Sequence, residues 1–426
     1  MTVGFLSFLK SKSEPDTSPA AASADAPAAV EQQAAQPSVI ITRAEIVDSQ
    51  QRLAGYRFNA ALPAAELVEA LVAAQMPAFA QSRIALVPIG ADAVAAGLHL
   101  PLAAPHTVFL LDREAAGAVP ALRAAGASIA LHGFTLGEAD ADLLSQADLA
   151  LLHLGEHPLT SLQGFCKQLH QRHPELKLVV DGVESWDEQR MCASWGASYF
   201  MGQFLTTSDV VDPDAKIDQS RMTSIELLNL LRTDAELPAM IEVAKRDPGM
   251  TYQVLQWANA PVNGQATKVT SLQQAFMVLG RNQLYRGLTV SMFRMGNSAN
   301  KERDESLLEV ALTRARFLET CSTLPQAKRD ELFLVGLLSL FDVLLGVPMA
   351  SLVDKMHLSD DIREVLLGNE SAYSPYLTMV LLLQRDKVEQ ALAIAETLEI
   401  DIDRLAEVGQ AAFKWAQESM HHTGAD

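Results

Sequence analysis

Two carboxylates, Asp181 and Glu184, follow an apolar run in the stretch LVVDGVES at residues 178–185. The run predicts a buried strand, and α/β barrels place metal ligands and acid–base groups at the carboxyl ends of their strands. Two carboxylates without further ligands make a poor magnesium site. A functional carboxylate pair and a pair of turn and helix-capping groups are both open interpretations, and the pattern favours the second.

Four histidines could also carry chemistry. His132 and His153 each close a short apolar run and could face each other across barrel strands, although a hydrogen-bonded core imidazole is the more common role. His170 and His173 are three residues apart on a predicted helix, a spacing that can bind zinc. No HExxH motif accompanies them, so a solvated helix surface is favoured.

The sequence has none of the common nucleotide, P-loop or serine-hydrolase motifs GxGxxG, GxxxxGK[ST] and GxSxG. Its three cysteines, Cys166, Cys192 and Cys321, are widely spaced and form no CxxC pair. The sequence therefore predicts neither a disulfide framework nor a cysteine zinc site, and a reducing cytoplasm fits best.

Composition restricts the classes of partner. The 426 residues carry a formal net charge of -19, which would repel phosphate backbones, so we expect no nucleic-acid partner. The first residues, MTVGFLSFLKSK, contain too short an apolar stretch for a signal peptide or a membrane span. We expect a cytoplasmic protein without a membrane span.

The chain divides into an N-terminal α/β part and a C-terminal helical part. Residues 1–38 are rich in Ala, Pro, Ser and Gln and predict a disordered leader. Residues 39–205 alternate short apolar runs with amphipathic segments, which predicts a parallel sheet covered on both faces or a closed barrel. Because a full eight-fold barrel usually needs about 200 residues or more, we expect a trimmed (β/α) barrel.

The strand pattern ends at a polar stretch, residues 206–220, which predicts a linker. Residues 221–420 then predict an all-helical domain, followed by a tail at 421–426. Asp234 and Asp247 are predicted helix caps, and Asp247 precedes a first-turn proline. Asp342 lies in a strongly apolar helix, where capping or hydrogen bonding is favoured over a buried switch.

Both parts resemble one family, the bacterial signalling proteins that join an EAL domain to an HDOD domain. The EAL resemblance lies in IVDSQQRLAGYRF, in IALHGF, and in VVDGVES followed by YFMGQFL. The HDOD resemblance lies in DPGMTYQVLQWANAP, in SLQQAFMVLG and, most specifically, in FLVGLLSLFDVLLGVPMASLVDKMHLSDDIREVLLG. Together these motifs extend from about residue 39 to 418.

The resemblance implies a degenerate EAL site at Arg57, His132, His153, Asp181 and Glu184. Arg57 stands where the family has its signature glutamate, and the two histidines stand where it has aspartates. Asp181 replaces a glutamate and Glu184 matches. Further departures from the family's polar residues fall near Pro88 and at Gly133, Leu151 and Met201. A cation would also meet the positive charge of Arg57.

The resemblance therefore implies a chain that is not an enzyme and does not hydrolyse cyclic di-GMP. In the helical part, His357 is the one histidine between residues 174 and 420, whereas HD-type phosphohydrolases need at least two for their metals. We expect no metal, no cofactor and no catalytic residue, and a regulatory role through protein–protein interactions with signalling proteins that the sequence does not identify. An effector that binds cyclic di-GMP without hydrolysis is the alternative, with weak or absent binding expected.

Overall fold

The fold is described by a computed structural model. The described residues are 39–60, 64–76, 83–135, 138–156, 158–209, 217–263, 268–295 and 300–421. The predicted leader at 1–38, the centre of the predicted linker at 210–216 and all but the first residue of the predicted tail lie outside the described residues.

Eight strands close into a barrel in chain order. They are β1 (Thr42–Asp48), β2 (Leu53–Asn59), β3 (Ile84–Pro88), β4 (Thr107–Asp112), β5 (Ser128–His132), β6 (Leu149–His153), β7 (Lys177–Asp181) and β8 (Ala197–Phe200). β1 runs antiparallel to both of its neighbours, β2 and β8, and the pairs from β2 to β8 are parallel. The predicted strands are covered on both faces, as their near-continuous apolar character requires.

A barrel trimmed in strand number is not what the structure has, because all eight strands are present. Residues 39–205 accommodate all eight strands because the strands and the helices between them are short. The strands have four to seven residues. The helices are α1 (Ala64–Ala73), α2 (Ala91–Ala95), α3 (Val119–Ala124), α4 (Glu138–Ser145), α5 (Leu159–Arg172) and α6 (Trp186–Ser194). Two of them, α2 and α3, have fewer than two turns, so a closed barrel fits into fewer residues than usual.

The barrel interior is a packed apolar core. Its buried side chains come from β1 and from β3 to β7, with Met201 just after β8. They are Ile46, Leu86, Val108, Leu110, Ala130, Leu149, Leu151, Val179 and Met201. Because this core fills the lumen, polar chemistry is restricted to the ends of the barrel.

The region after residue 217 is helical among the described residues. Its α-helices are α7 (Gln219–Arg232), α8 (Leu237–Ala244), α9 (Pro248–Ala258), α10 (Leu272–Ser291), α11 (Lys301–Cys321), α12 (Gln326–Leu338), α13 (Phe341–Leu345), α14 (Met349–Val353), α15 (Asp360–Leu366), α16 (Ser374–Gln384), α17 (Val388–Thr397) and α18 (Ile402–His421). The predicted cap at Asp247 is present, because its side chain accepts hydrogen bonds from Gly249 and Met250 N–H at 2.8 and 3.1 Å.

One local expectation differs from the structure. Asp234 does not cap α8; the N-cap residue is Glu236, and Asp234 has a left-handed backbone with φ of 52°. The segment SLQQAFMVLG forms the first part of α10 and ends at Gly280, whose φ of 68° and ψ of 172° are not helical and make a kink before the second part. Glycine reaches this conformation without steric cost, so the chain can bend and continue.

The barrel and the helical region share one apolar core. A single cluster of buried side chains runs from the outer face of the strands into the C-terminal helices. At this boundary the rings of Tyr56 and Phe413 lie edge to face with centroids 4.8 Å apart, and the Arg43 guanidinium lies 4.0 Å from the Phe413 ring centre. Among the described residues, no helix has both the length and the apolar character that crossing a bilayer requires.

Candidate functional site

The carboxyl ends of the parallel strands form one mouth of the barrel. Residues opposite each other in a parallel ladder point to the same face, and Arg57 lies opposite the core residue Leu86. Arg57 therefore faces the lumen. The same inward rows continue above the core, where Asp112 lies opposite His132 and His153 lies opposite Asp181.

Arg57 and Asp181 meet across the mouth. The Arg57 Nη1 donates to Asp181 Oδ2 at 2.5 Å, although β2 and β7 are not neighbours in the barrel. The two side chains are 21% and 14% exposed, so the pair is largely shielded from water. Asp181 Oδ1 also accepts the Gly182 N–H at 2.8 Å. The buried Nε of Arg57 has no hydrogen-bond partner among the described residues.

His153 lies beside this pair and is exposed. Its Nδ1 accepts a hydrogen bond from Gly155 N–H at 3.1 Å, which requires an unprotonated Nδ1. The imidazole covers Gly182, where a Cβ atom would lie 2.9 Å from Cε1 of the ring. The close approach explains why the residue after Asp181 is glycine, which also takes a φ of 77° there.

The two strand-end histidines are not opposite each other in the ladder that joins their strands. The ladder between β5 and β6 matches Ala130 with Leu149 and Leu131 with Ala150, which places His153 farther along the barrel axis than His132. In the ladders His132 lies opposite Asp112 of the preceding strand, and His153 lies opposite Asp181 of the following strand.

Glu184 is exposed and belongs to the entry of α6. Its backbone N–H donates to Glu188 Oε2 at 2.7 Å, and Ser185 with Glu188 forms the capping box of the helix. The sequence favoured Asp181 and Glu184 as helix caps, but Ser185 and Glu188 cap the helix instead. The Ser-x-x-Glu spacing in the sequence could have predicted this capping box.

An open cavity of about 430 Å³ lies at the ends of β3, β4 and β5. His132 lines it together with three carboxylates that the sequence reasoning missed, Asp92, Asp112 and Glu114. Asp112 could have been found, because it closes the apolar run TVFLLD in the same way that Asp181 closes its own. In the part of the chain that the structure describes, no group of three or more His, Cys, Asp and Glu side chains is suited to holding a metal ion.

The remaining candidates lie apart from the mouth. His170 is exposed on α5, His173 follows its last turn, and His357 is exposed with its N–H bonded to Asn229 Oδ1 at 2.8 Å. Burial raises the pKa of Cys166 to about 11 and of Cys192 and Cys321 to about 12. Thiols with raised pKa are poor nucleophiles at neutral pH.

Asp342 lies in the first turn of α13. Burial raises the pKa of its carboxyl, and hydrogen bonds from the Val343 and Asp342 N–H groups oppose the shift. Its buried Oδ1 has no hydrogen-bond partner among the described residues. The carboxyl of Asp342 therefore accepts hydrogen bonds from backbone N–H groups of the first turn, as the favoured capping role requires, while its Oδ1 is unpaired.

The helical region exposes two large apolar side chains on neighbouring helices. Tyr252 on α9 is 65% exposed and Met277 on α10 is 64% exposed. The two helices pack against each other through their other faces, which bury Met250, Val254 and Phe276. Sequence reasoning did not single out either exposed residue, because an apolar position on an amphipathic helix normally predicts core.

Comparison with known proteins places an HDOD domain in this helical region, where the family model matches residues 222–350. The uncharacterized protein YuxH of Bacillus subtilis is 23% identical over 247 residues, 58% of this chain and 60% of its own length. The cyclic di-GMP phosphodiesterase CdgJ of Vibrio cholerae is 20% identical over 247 residues, 57% of this chain and 56% of its own. The match thus spans less than two thirds of either relative.

Among solved structures, the EAL domain of Mycobacterium smegmatis DcpA is 13% identical, with 38% of this chain and 90% of that domain covered at a TM-score of 0.32. A TM-score this low does not establish a common fold. The predicted HDOD domain is confirmed for the range that the family model matches, residues 222–350.

The expectation that the chain is not an enzyme is contradicted. A relative that matches 57% of this chain is itself a cyclic di-GMP phosphodiesterase. The expectation depended on the replaced polar residues at the mouth, and these do not by themselves exclude catalysis. Turnover is therefore a quantity to be measured.

Proposed function

We propose that this chain is a regulatory protein of cyclic di-GMP signalling that acts through protein–protein contacts of an EAL-like barrel and an HDOD domain. The similarity to the Vibrio cholerae phosphodiesterase and the HDOD match at residues 222–350 support the pathway. In this proposal the EAL-like barrel spans residues 39–205, the linker 206–220 and the HDOD domain 221–420. Arg57, His132, His153, Asp181 and Glu184 are the altered remnants of an EAL-type site. The buried, unpaired cysteines support a cytoplasmic location.

The exposed pair Tyr252 and Met277 carries the proposal of protein contacts. Large apolar and aromatic side chains that water reaches on a folded surface are typical of the centres of protein interfaces, where Tyr and Met are enriched. Both residues lie inside the HDOD match, on two helices that are packed together. A partner that covers both would bury apolar surface that folding leaves in contact with water.

Quantitative affinity capture from the source organism tests the contact surface. The wild-type chain is compared with the double variant Tyr252→Ala/Met277→Ala and with Leu100→Ala, a matched control because Leu100 is an exposed apolar residue, 59% accessible, on the barrel part. We expect a recurrent signalling partner for the wild type and Leu100→Ala, and at least tenfold less of it for the double variant, about 1.4 kcal/mol. Equal capture by all three chains, or no enriched partner at all, would contradict the proposal.

Recognition of cyclic di-GMP at the barrel mouth is a second candidate, favoured by Arg57. A guanidinium with a buried, unpaired Nε can donate to a phosphate or guanine oxygen. This candidate predicts saturable binding in calorimetry, with Arg57→Ala at least tenfold weaker, about 1.4 kcal/mol. Unchanged affinity in Arg57→Ala would remove the candidate.

Hydrolysis of cyclic di-GMP is measured alongside binding, with magnesium or manganese present. If the purified chain hydrolyses the nucleotide, the variant Asp181→Asn shows whether the reaction takes place at the barrel mouth. A rate that Asp181→Asn abolishes lies at the barrel mouth, whereas a rate that persists comes from another site or from a contaminant.

A further inference from the structure

A buried polar cluster joins the helical region to the barrel wall at Glu309 of α11. The Tyr56 hydroxyl donates to Glu309 Oε1, and Arg83 Nη1 donates to the two carboxylate oxygens at 2.7 and 2.6 Å. Arg83 Nη1 also lies 3.0 Å from the Tyr56 hydroxyl, which closes the cluster. Glu309 and Tyr56 are each 2% exposed, so water does not weaken these charge-assisted bonds.

The same helix holds the start of β2 one turn earlier. Ser306 Oγ accepts the Leu53 N–H at 3.0 Å and lies within 3.1 Å of the Gln51 carbonyl oxygen. A carboxylate and a hydroxyl three residues apart on a helix face the same side. α11 therefore contacts β2 at two points: Ser306 bonds to the backbone at Leu53, and Glu309 bonds to the side chain of Tyr56.

Tyr56 and Arg57 are consecutive residues on β2, so their side chains point to opposite faces of the strand. Tyr56 points outward to Glu309, and Arg57 points into the mouth, where its Nη1 lies 2.5 Å from Asp181 Oδ2. A shift of the strand at Tyr56 must also move the Cα of Arg57, because the two residues share a peptide bond. The ion pair at the mouth thus depends on how α11 sits against the barrel.

We propose that Glu309 is a positioning residue of the barrel mouth: by holding Tyr56 it sets the position of Arg57 against Asp181 and couples the helical region to the mouth. The inference goes beyond the proposed function, because it needs neither a particular partner nor a bound nucleotide. A partner that displaces α11 would weaken the Arg57–Asp181 ion pair. A change at the mouth would in turn shift α11, since coupling between two sites is reciprocal.

Hydrogen exchange of the full chain tests the coupling. Glu309→Gln keeps the shape of the side chain but removes the charge that holds Tyr56 and Arg83. The matched control is Glu319→Gln, a second buried glutamate of α11, whose partners Arg286 and Arg316 lie within the helical region. Both variants remove a buried ion pair from the same helix, so a general loss of stability affects both.

The amides of residues 55–57 and of Gly182 report on the mouth, because Gly182 N–H donates to Asp181. In Glu309→Gln we expect these amides to exchange about threefold faster or more relative to Glu319→Gln. The Arg57 Nε–H resonance should also shift in nitrogen-15 spectra of Glu309→Gln and stay in place in Glu319→Gln.

Tyr56→Phe provides a second variant if Glu309→Gln does not fold, since it deletes one hydroxyl and should produce the same pattern at Gly182. Two results would overturn the inference. One is exchange that changes only in α11 and around Arg83. The other is an equal change at the mouth in Glu319→Gln, which would mean that general stability and not position is transmitted. Neither result bears on partner capture, so the proposed function would stand or fall separately.

Discussion

At the scale of single residues, Arg57 and Asp181 determine what the barrel mouth can do. Each would be a poorly solvated charge without the other, because both side chains are largely shielded from water. Alone, Arg57 would repel a cation and Asp181 could bind one. Paired with each other, the two side chains form a bridge without net charge. Of these two side chains, the Arg57 guanidinium keeps one buried donor, its Nε, outside the bridge.

Removing one partner of this bridge should cost stability. Arg57→Ala leaves Asp181 without its charged donor, and we expect a loss of about 1–2 kcal/mol in the free energy of unfolding. Chemical denaturation measures the loss. Arg52→Ala is the control, because Arg52 also pairs with an aspartate but is exposed, and it should cause no measurable loss. Equal losses would mean that the bridge at the mouth is no better shielded than a surface pair.

Asp342 should make stability depend on pH. Burial raises the pKa of its carboxyl above the ordinary 3.8, so the folded state binds this proton more tightly than the unfolded state. Its contribution to stability is therefore greatest at low pH and declines as pH rises above 3.8 through the raised pKa.

Asp342→Asn removes that decline, while the amide oxygen can still accept the capping N–H groups. We expect the variant to gain stability over the wild type as pH rises toward 7, measured by denaturation at a series of pH values. A difference that stays constant with pH would show that the carboxyl does not titrate differently in the two states.

Sequence reasoning at this scale found the positions but not the contacts. Arg57 and Asp181 were both identified from motifs, yet 124 residues separate them and their strands are not neighbours, so no spacing could show that they form an ion pair. The cluster of Tyr56, Arg83 and Glu309 was missed for the same reason, because Glu309 lies 253 residues from Tyr56. Long-range polar pairing becomes visible only when the fold is known.

At the scale of elements, the packing of α11 against α12 depends on Gly336. A Cβ atom at this position would lie 2.6 Å from the Ala315 backbone nitrogen, so the two helices approach more closely than any side chain allows. α11 also carries Glu309 and Ser306, and its placement therefore affects both the helical core and the barrel wall.

Gly336→Ala should separate these helices and destabilise the chain by about 1–3 kcal/mol through overpacking. Thermal or chemical unfolding measures the effect. Gly409→Ala on α18 is the matched control, because nothing lies within 4 Å of a Cβ there. It should be neutral or stabilise by about 0.5–1 kcal/mol, the usual difference between Gly and Ala in a helix. A neutral Gly336→Ala would show that the contact can relax.

Strand and helix types could be predicted well, because apolar runs and amphipathic periods are local signals. Their ends could not always be predicted. Asp234 was expected to cap a helix that in fact begins at Leu237, with Glu236 as its N-cap residue. Tertiary packing decides such cases, since an alternative cap costs less than exposing the apolar face of the next turn.

At the scale of the whole molecule, the barrel and the helices behave as one packed body at their boundary. A shared apolar core, the Arg43–Phe413 contact and the Glu309 cluster all cross it. The sequence predicted two parts of different class but not how they meet, because apolar faces on separate elements do not show which partner they bury against. The closed barrel of eight strands was also underestimated, since two of the helices around it, Ala91–Ala95 and Val119–Ala124, are shorter than two turns.

If a surface of the HDOD domain regulates cyclic di-GMP signalling, as proposed, the cellular level of cyclic di-GMP should depend on Tyr252 and Met277. Cells of the source organism that lack the chain are complemented with the wild type, with Tyr252→Ala/Met277→Ala or with Leu100→Ala, and the nucleotide is quantified by mass spectrometry. We predict that the wild type and Leu100→Ala restore the cyclic di-GMP level and that the double variant, at equal abundance, does not. Full restoration by the double variant, or a level that does not depend on the chain at all, would contradict the account.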